Sequence, residues 1–190
     1  MDGGGDRRVF FRDAFARVAR VMAARTERRV APRRFFRPPG ALPELAFLAA
    51  CTRCSACVDV CPVHAIHKAA ADAGFAGGTP ILEPNLLACV VCVDMPCARA
   101  CPTGALQVPR DGWAGVHLGV LTLDPDRCIV FHGAACGVCA RVCPVGERAL
   151  GLDAGGRPVV RPEGCVGCGS CVTACVTAPP SLSLTLEEDG

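Results

Sequence analysis

The sequence predicts a loop-rich α+β fold with short helices and β-hairpins, built from a unit that repeats along the chain. Cysteine accounts for 16 of the 190 residues, and the cysteines form four groups whose first members lie 38, 39 and 37 residues apart. Only 5% of the residues are aromatic, with one tryptophan and no tyrosine. Because a large aromatic core is excluded, we expect bound groups to help hold the fold together.

The four cysteine groups share one spacing with variations, and we call them motifs I to IV in chain order. Motif I is Cys51-x2-Cys54-x2-Cys57-x3-Cys61, and motif IV is Cys165-x2-Cys168-x2-Cys171-x3-Cys175. Motif II is Cys89-x2-Cys92-x4-Cys97-x3-Cys101, and motif III is Cys128-x7-Cys136-x2-Cys139-x3-Cys143. Proline follows the last cysteine of motifs I, II and III, whereas Val176 follows it in motif IV. The four motifs use every cysteine of the chain.

This spacing is typical of ligands for 4Fe-4S clusters. Three thiolates in a tight loop reach three irons of one cube, while the fourth cysteine ligates the neighbouring cube. We expect that fourth cysteine to start a short helix. Structural zinc prefers separated pairs of cysteines, and a disulfide framework gives no reason for four similar quartets. The sequence therefore predicts four 4Fe-4S clusters bound by all 16 cysteines.

The segments between the motifs predict the remaining elements. Period-two apolar patterns indicate strands at residues 105–108, 116–123, 149–152 and 182–186, separated by turns. Residues 33–40, with Pro38-Pro39-Gly40, have the composition of a linker. The predicted domains are an N-terminal arm over residues 1–40, a repeat pair with motifs I and II over residues 41–110, and a second pair over residues 111–190. This is the plan of a bacterial two-cluster ferredoxin, in tandem.

The part of the chain before the cysteine motifs is basic, and the part that contains them is acidic. Residues 1–40 hold 11 arginines and four acidic residues, a net charge of +7, whereas the rest of the chain has a net charge of −5. Apolar residues recur in the arm at three- and four-residue steps and predict a basic amphipathic helix: Phe11, Ala14, Phe15, Val18, Val21 and Met22. Such a helix packs on the body or docks on a membrane surface or a partner.

Other classes of function find little support. The body offers neither interleaved aromatic residues nor a recognition-helix pattern, so we expect no nucleic-acid partner. No stretch of the chain is apolar for the length of a membrane span, and we expect no transmembrane helix. No nucleophile–base pair or phosphate loop is evident, and this favours an electron carrier over an enzyme. We expect His64, His67, His117 and His132 to be structural or exposed, and Trp113 to be a hydrophobic cover.

The order of the four differently spaced motifs, with Arg37-Pro-Pro-Gly-Ala41 before them and Cys175-Val176 at the end, resembles the NapG/MauM ferredoxin-type proteins. The resemblance covers about residues 35–186. It implies an electron-transfer subunit with four 4Fe-4S clusters that carries electrons from a quinol-oxidising membrane partner towards a terminal reductase or dehydrogenase. The alternative is a cluster-stabilised scaffold or an assembly factor for a redox enzyme.

Two features stay open at this stage. Neighbouring motifs can share cubes, I with II and III with IV; polyferredoxin subunits of molybdenum enzymes suggest I with IV and II with III instead. The start of the arm, with Arg7 and Arg8, resembles a twin-arginine export signal, but no apolar region follows it. We therefore expect a location in the cytoplasm or peripheral to the inner membrane, with twin-arginine export to the periplasm as the alternative.

Overall fold

The computed structural model describes residues 34–186, and this part of the chain contains short helices joined by loops and three small sheets. The α-helices are α1 (Glu44–Ala50), α2 (Ala56–Asp59), α3 (Pro96–Arg99), α4 (Val138–Arg141) and α5 (Ser170–Thr173). The strands are β1 (Ile66–Lys68), β2 (Pro80–Leu82), β3 (Val120–Leu123), β4 (Leu150–Leu152), β5 (Pro158–Val160) and β6 (Leu182–Thr185). The amphipathic helix predicted for the arm lies outside the described residues.

Each sheet is an antiparallel pair. β1 pairs with β2, and β4 pairs with β5, so that Ile66 lies opposite Leu82 and Leu150 lies opposite Val160. β3 pairs with β6, although some 60 residues separate them in the chain. Because two-stranded sheets are marginally stable alone, these pairs need the surrounding loops and cores for support.

The strands and helices enclose two hydrophobic cores. The first core includes Phe47, Ile66, Met95 and residues as late as Leu118. The second begins at Leu121 and includes residues of β4, α5 and β6. The side chain of Phe36 packs against both cores. The chain thus passes from the first core to the second between residues 118 and 121; the domain boundaries at residues 40 and 110 stay predictions.

The strand predictions were confirmed for the second core and largely failed for the first. β3, β4 and β6 lie within the predicted strands, although β3 begins four residues later than expected. The strand predicted at residues 105–108 is reduced to one bridge between Ala41 and Leu106. Pro39 and Pro43 flank the partner segment, and without backbone N–H groups they cannot extend the ladder. β1, β2 and β5 were not predicted, because strands of three residues are too short to show alternation, and β2 and β5 also begin with a proline.

The interpretation of residues 33–40 as a linker is wrong for residues 36–40, which pack on the body. Phe36 forms a bridge with Leu82, and Pro38 and Pro39 are fully buried. Gly40 has a φ of +78°, and its carbonyl oxygen accepts a hydrogen bond from the N–H of Gln107. A Cβ atom at Gly40 would lie 1.9 Å from the carbonyl oxygen of Gln107, so only glycine fits this turn.

Arg37 ties this segment to the first core. Its side chain is 2% exposed, and its guanidinium group donates to both carboxylate oxygens of Glu44 at 3.0 and 2.5 Å. Its Nη1 atom donates to the Thr79 hydroxyl and to the carbonyl oxygen of Pro80, and the centre of the Phe47 ring lies 4.6 Å from the guanidinium carbon. Every charge of this buried pair therefore has a partner, which is the condition for a buried arginine to be tolerated.

The longest α-helix in this part of the chain is α1, with seven residues. A helix that crosses a bilayer needs about 20 apolar residues. Among residues 34–186 no helix meets that requirement.

We predict that Glu44→Ala lowers the free energy of unfolding by about 3–5 kcal/mol, because it leaves the buried Arg37 charge without a counter-ion. An anaerobic urea titration followed by circular dichroism measures the change. Glu83→Gln is the control, since the contact between the Glu83 carboxylate and the His67 ring is about half exposed and contributes ~0–1 kcal/mol. Equal losses in both variants would contradict the assignment of Arg37 as a structural anchor.

Candidate metal centres

All 16 cysteines lie among the described residues, and all of them are free thiols. Twelve of the 16 motif cysteines fall in loops without regular structure, and none of the 16 is joined to another by a disulfide bond. The structure therefore argues against the disulfide reading of the cysteine-rich sequence.

The four motifs share a local backbone geometry around their third cysteine. Cys57, Cys97, Cys139 and Cys171 each occupy the second position of a four-residue helix, α2 to α5. The residue before each helix is left-handed: φ is +72° at Ser55, +45° at Met95, +104° at Gly137 and +89° at Gly169. The left-handed residue reverses the direction of the chain and folds each motif into a tight loop that faces its own helix.

The fourth cysteine of each motif does not start a helix, contrary to our expectation. Each short helix ends two residues before it, and the chain then turns away. The proline that follows in three motifs has no backbone N–H, so it cannot continue the preceding helix. The fourth cysteine is thus directed out of its own loop by the end of the helix.

Neighbouring motifs cross over to line shared cavities. α2 packs against α3, and α4 packs against α5, so that motif I meets motif II and motif III meets motif IV. Three cavities of similar size result, and all three are open to solvent on one side. Each is lined by the first three cysteines of one motif and the fourth cysteine of its neighbour: Cys51, Cys54, Cys57 and Cys101; Cys89, Cys92, Cys97 and Cys61; and Cys165, Cys168, Cys171 and Cys143.

Four cysteines remain, and they repeat the same arrangement in part. The sulfur atoms of Cys136 and Cys128 lie near enough to Cys139 to raise the pKa of its thiol, after the larger effect of burial. Cys175, the fourth cysteine of motif IV, is the counterpart of Cys101 in motif II. By analogy with the other three sets, Cys128, Cys136, Cys139 and Cys175 are the remaining candidate ligands.

The thiols of the loop interiors are poor acids in the absence of metal. Burial, reinforced by neighbouring cysteines, raises the pKa of Cys57 to about 11 and the pKa values of Cys97 and Cys171 to about 12. A thiolate in such surroundings needs a compensating positive charge. Iron supplies that charge, and binding it would release the thiol protons.

Two of the four fourth-position cysteines, Cys101 and Cys175, have thiol pKa values that are lowered instead. Burial acts to raise the pKa of Cys175, but hydrogen bonds from Ser181 and Thr177 outweigh it and lower the value to about 7. Their hydroxyl oxygens lie 3.3 and 3.2 Å from the Cys175 Sγ atom, and the Ser181 N–H donates to the same sulfur at 3.4 Å.

Cys101 has the corresponding partners. Burial again acts to raise the pKa of its thiol, but the backbone N–H of Leu106 and the Thr103 hydroxyl outweigh it and lower the value. The Leu106 N–H lies 3.4 Å from the Cys101 Sγ atom. Our sequence analysis missed these donors. A signal was present, because threonine occurs two residues after the fourth cysteine in motifs II and IV, whereas valine occurs there in motifs I and III.

The spacing of the donors favours cubes over single ions. Four thiolates that share one zinc ion lie within about 4 Å of one another, since each Zn–S bond is about 2.3 Å. Within residues 34–186, no three side chains of His, Cys, Asp or Glu converge closely enough to hold a single ion. Thiols placed around a hollow fit a 4Fe-4S cube instead, in which each thiolate would bind one iron.

The histidines and Trp113 occupy supporting positions. His117 and His132 contact the carbonyl oxygens of Cys165 and Asp126, at 3.1 and 2.8 Å, and both histidines are exposed. His67 pairs with Glu83, and His64 is exposed. Trp113 lines the motif II cavity, and its Nε1 donates to the carbonyl oxygen of Cys92 at 2.8 Å. The structure thus agrees with the prediction of a hydrophobic cover.

Comparison with known proteins agrees with this architecture. Residues 50–105 and residues 120–176 each match a family described as a 4Fe-4S dicluster domain. Two dicluster domains imply four 4Fe-4S clusters, which accounts for the number of cysteines. No solved structure matches the chain.

The chain is similar to several ferredoxin-type proteins over most of its length. The chain is 39% identical over 205 residues to the "Methylamine utilization ferredoxin-type protein MauM" of Paracoccus denitrificans, covering 98% of this chain and 92% of the relative. It is 36% identical over 159 residues to the "Ferredoxin-type protein NapG" of Escherichia coli, covering 78% and 69%. "Ferredoxin-type protein NapF" of Escherichia coli is 29% identical over 156 residues, covering 80% and 84%. With two dicluster domains in tandem and this identity over almost its whole length, the chain belongs to the MauM and NapG family of ferredoxin-type iron-sulfur proteins.

Proposed function

We propose that the protein is a one-electron relay that holds four 4Fe-4S cubes in two ferredoxin-like units and passes electrons between redox partners. The observation that carries this proposal is the set of three similar cavities, each lined by four cysteines from two motifs. A bound cube accepts or donates a single electron, so no bond of an organic substrate has to be broken.

All 16 cysteines serve as ligands in this proposal, with the fourth cysteine of each motif exchanged between neighbours. One unit pairs motif I with motif II through Cys101 and Cys61. The other pairs motif III with motif IV through Cys175 and Cys143. The crossed cavities support this pairing over the alternative of I with IV and II with III.

The side chains of the protein set the conditions for electron transfer. Burial around Cys57, Cys97 and Cys171 limits the access of water, which disfavours the extra negative charge of a reduced cube. The donors to Cys101 and Cys175 act in the opposite sense, because a hydrogen bond to a ligating sulfur stabilises negative charge. The chain therefore provides unequal surroundings for its cubes.

Charge indicates the kind of partner. Four thiolates and a 2+ core leave about −2 on each oxidised cube, so the loaded chain changes from +2 to about −6. The loaded body is suited to a basic docking surface on a redox protein. We propose that electrons pass from a quinol-oxidising or other dehydrogenase partner towards a terminal reductase, with the basic arm docking on a membrane surface or on the partner.

The cellular compartment depends on whether the N-terminal arm acts as an export signal. Without an apolar region after Arg7 and Arg8, we place the protein in the cytoplasm or at the inner membrane surface. Fractionation of the source cell and mass spectrometry of the mature N-terminus test this placement. Recovery from the periplasm would overturn it and direct the search to periplasmic partners.

Reversible reduction tests the proposed function directly. Anaerobically purified protein should contain 16 iron and 16 sulfide per chain, and it should take up and return electrons with that content unchanged. Redox titration with iron analysis before and after measures both. Loss of clusters to an apo-acceptor, with no electron passed on, would contradict the relay and favour an assembly factor.

We predict that Cys101→Ser alters the same cube as Cys54→Ser, because both sulfurs line one cavity although they belong to different motifs. Cys61→Ser should in turn alter the cube that Cys92→Ser alters. The electron paramagnetic resonance spectra of the four reduced variants make the comparison. If Cys101→Ser changes the signal that Cys92→Ser changes, the crossed assignment is wrong.

We predict that Thr177→Val lowers the reduction potential of the cube bound by Cys175, because the variant removes a hydrogen bond to a ligating sulfur. Valine is the residue that motifs I and III carry at this position. A redox titration followed by electron paramagnetic resonance gives the potential. Thr122→Val is the control, since that hydroxyl bonds to Ser183; an unchanged or raised potential in Thr177→Val would refute the role of Thr177.

A further inference from the structure

Two cysteine loops from different halves of the molecule touch. The backbone N–H of Cys89, the first cysteine of motif II, donates to the carbonyl oxygen of Cys168 in motif IV at 2.8 Å. Motif II lies in the first half and motif IV in the second, so this contact bridges the halves at the ligands themselves.

Glycine allows the two halves to approach at this contact. Gly167 and Gly169 flank Cys168, and both have left-handed backbone, with φ of +70° and +89°. A Cβ atom at Gly169 would lie 2.0 Å from the carbonyl oxygen of Pro84 in the first half. A Cβ atom at Gly167 would lie 2.7 Å from the backbone nitrogen of Gly119, in the segment that joins the two cores.

The geometry of the loop does not itself require glycine at these two positions. Motif I has the same spacing as motif IV, and there Arg53 and Ser55 occupy the corresponding positions with φ of +61° and +72°. The loop therefore accepts side chains in this conformation. What separates motif IV from motif I is the backbone of other segments packed against Gly167 and Gly169.

The side-chain amide of Asn85 joins the same two halves next to the cysteine loops. The Nδ2 atom of Asn85 donates to the carbonyl oxygen of Leu184 at 2.8 Å, and the N–H of Leu184 donates to the Oδ1 atom of Asn85 at 2.8 Å. Leu184 belongs to β6, so Asn85 takes the place of a neighbouring strand at the free edge of that sheet. Asn85 also directly follows Pro84, the residue packed against Gly169.

We propose that this junction, formed by Asn85, Cys89, Gly167, Cys168 and Gly169, makes the cluster sites of motifs II and IV nearest neighbours and gives the relay the order I, II, IV, III. The inference rests on the proposed function, since it orders the sites of that relay. An electron that crosses the junction oxidises one cube by one electron and reduces its neighbour by one, with no bond broken and no proton moved. Motifs I and III are then the two ends at which partners exchange electrons.

Gly169→Ser tests the junction in the full-length, cluster-loaded chain. Serine is tolerated at the matching position of motif I, but here its Cβ atom meets the Pro84 oxygen and should push the halves apart. The expected result is loss of the spin coupling between the cubes of motifs II and IV in the fully reduced protein, together with faster hydrogen exchange at the Cys89 amide. Gly137→Ser is the matched control, because it changes the same position of motif III, where the nearest contact is the flexible side chain of Leu152.

If Gly169→Ser loses iron, a second pair of variants outside the cysteine motifs tests the order of the cluster sites. Asn85→Ala should weaken the coupling and expose the Cys89 amide to exchange, whereas Thr122→Ala, which loses hydrogen bonds to β6 within one half, should change neither. Wild-type coupling and exchange in junction variants that retain 16 iron would overturn the order. Fewer than four cubes in the wild-type chain would instead contradict the proposed function, so the two failures are distinguishable.

Discussion

Each of the three cysteine-lined cavities is completed by a cysteine from the neighbouring motif, and the rest of the structure depends on this exchange. A single motif supplies three thiols to its own loop and directs the fourth away, so it cannot line a cavity alone. Pairing α2 with α3 and α4 with α5 brings the exchanged cysteines into place. The sheets and the two small cores then serve to hold these helix pairs in position. Strands of three or four residues, unstable in isolation, suffice for a fold whose loops are bound at four points by each cluster.

The molecule combines this internal duplication with differences between its halves. In both halves a β-hairpin follows the first motif, and the first segment of the half pairs with its last segment. In the second half that pairing is the β3–β6 pair, whereas in the first half it is a single bridge flanked by prolines. The buried Arg37–Glu44 pair helps to anchor the first half where the sheet is short. Motif IV also differs from motif I, because Gly167 and Gly169 leave room for the backbone of Gly119 and Pro84.

Much of this organisation could be predicted from the sequence, because cysteine spacing reports ligand geometry directly. The cofactor, the number of clusters and the family followed from the four motifs, and the strands of the second half followed from apolar alternation. The pairing of motifs could not be predicted, since either scheme uses the same residues. The packing of Arg37 and Pro38 was missed for a different reason: proline, glycine and arginine together are typical of linkers. Only the tertiary contacts with Glu44 and Gln107 show that this segment belongs to the body.

The most direct test of the crossed arrangement is an anaerobic crystal structure of the loaded protein, with an anomalous difference map recorded at the iron absorption edge. The account predicts four cubes in a row, with the cube next to Cys51 bound also by Cys101 and the cube next to Cys165 bound also by Cys143. Cubes shared between motifs I and IV, or fewer than four iron sites, would contradict it.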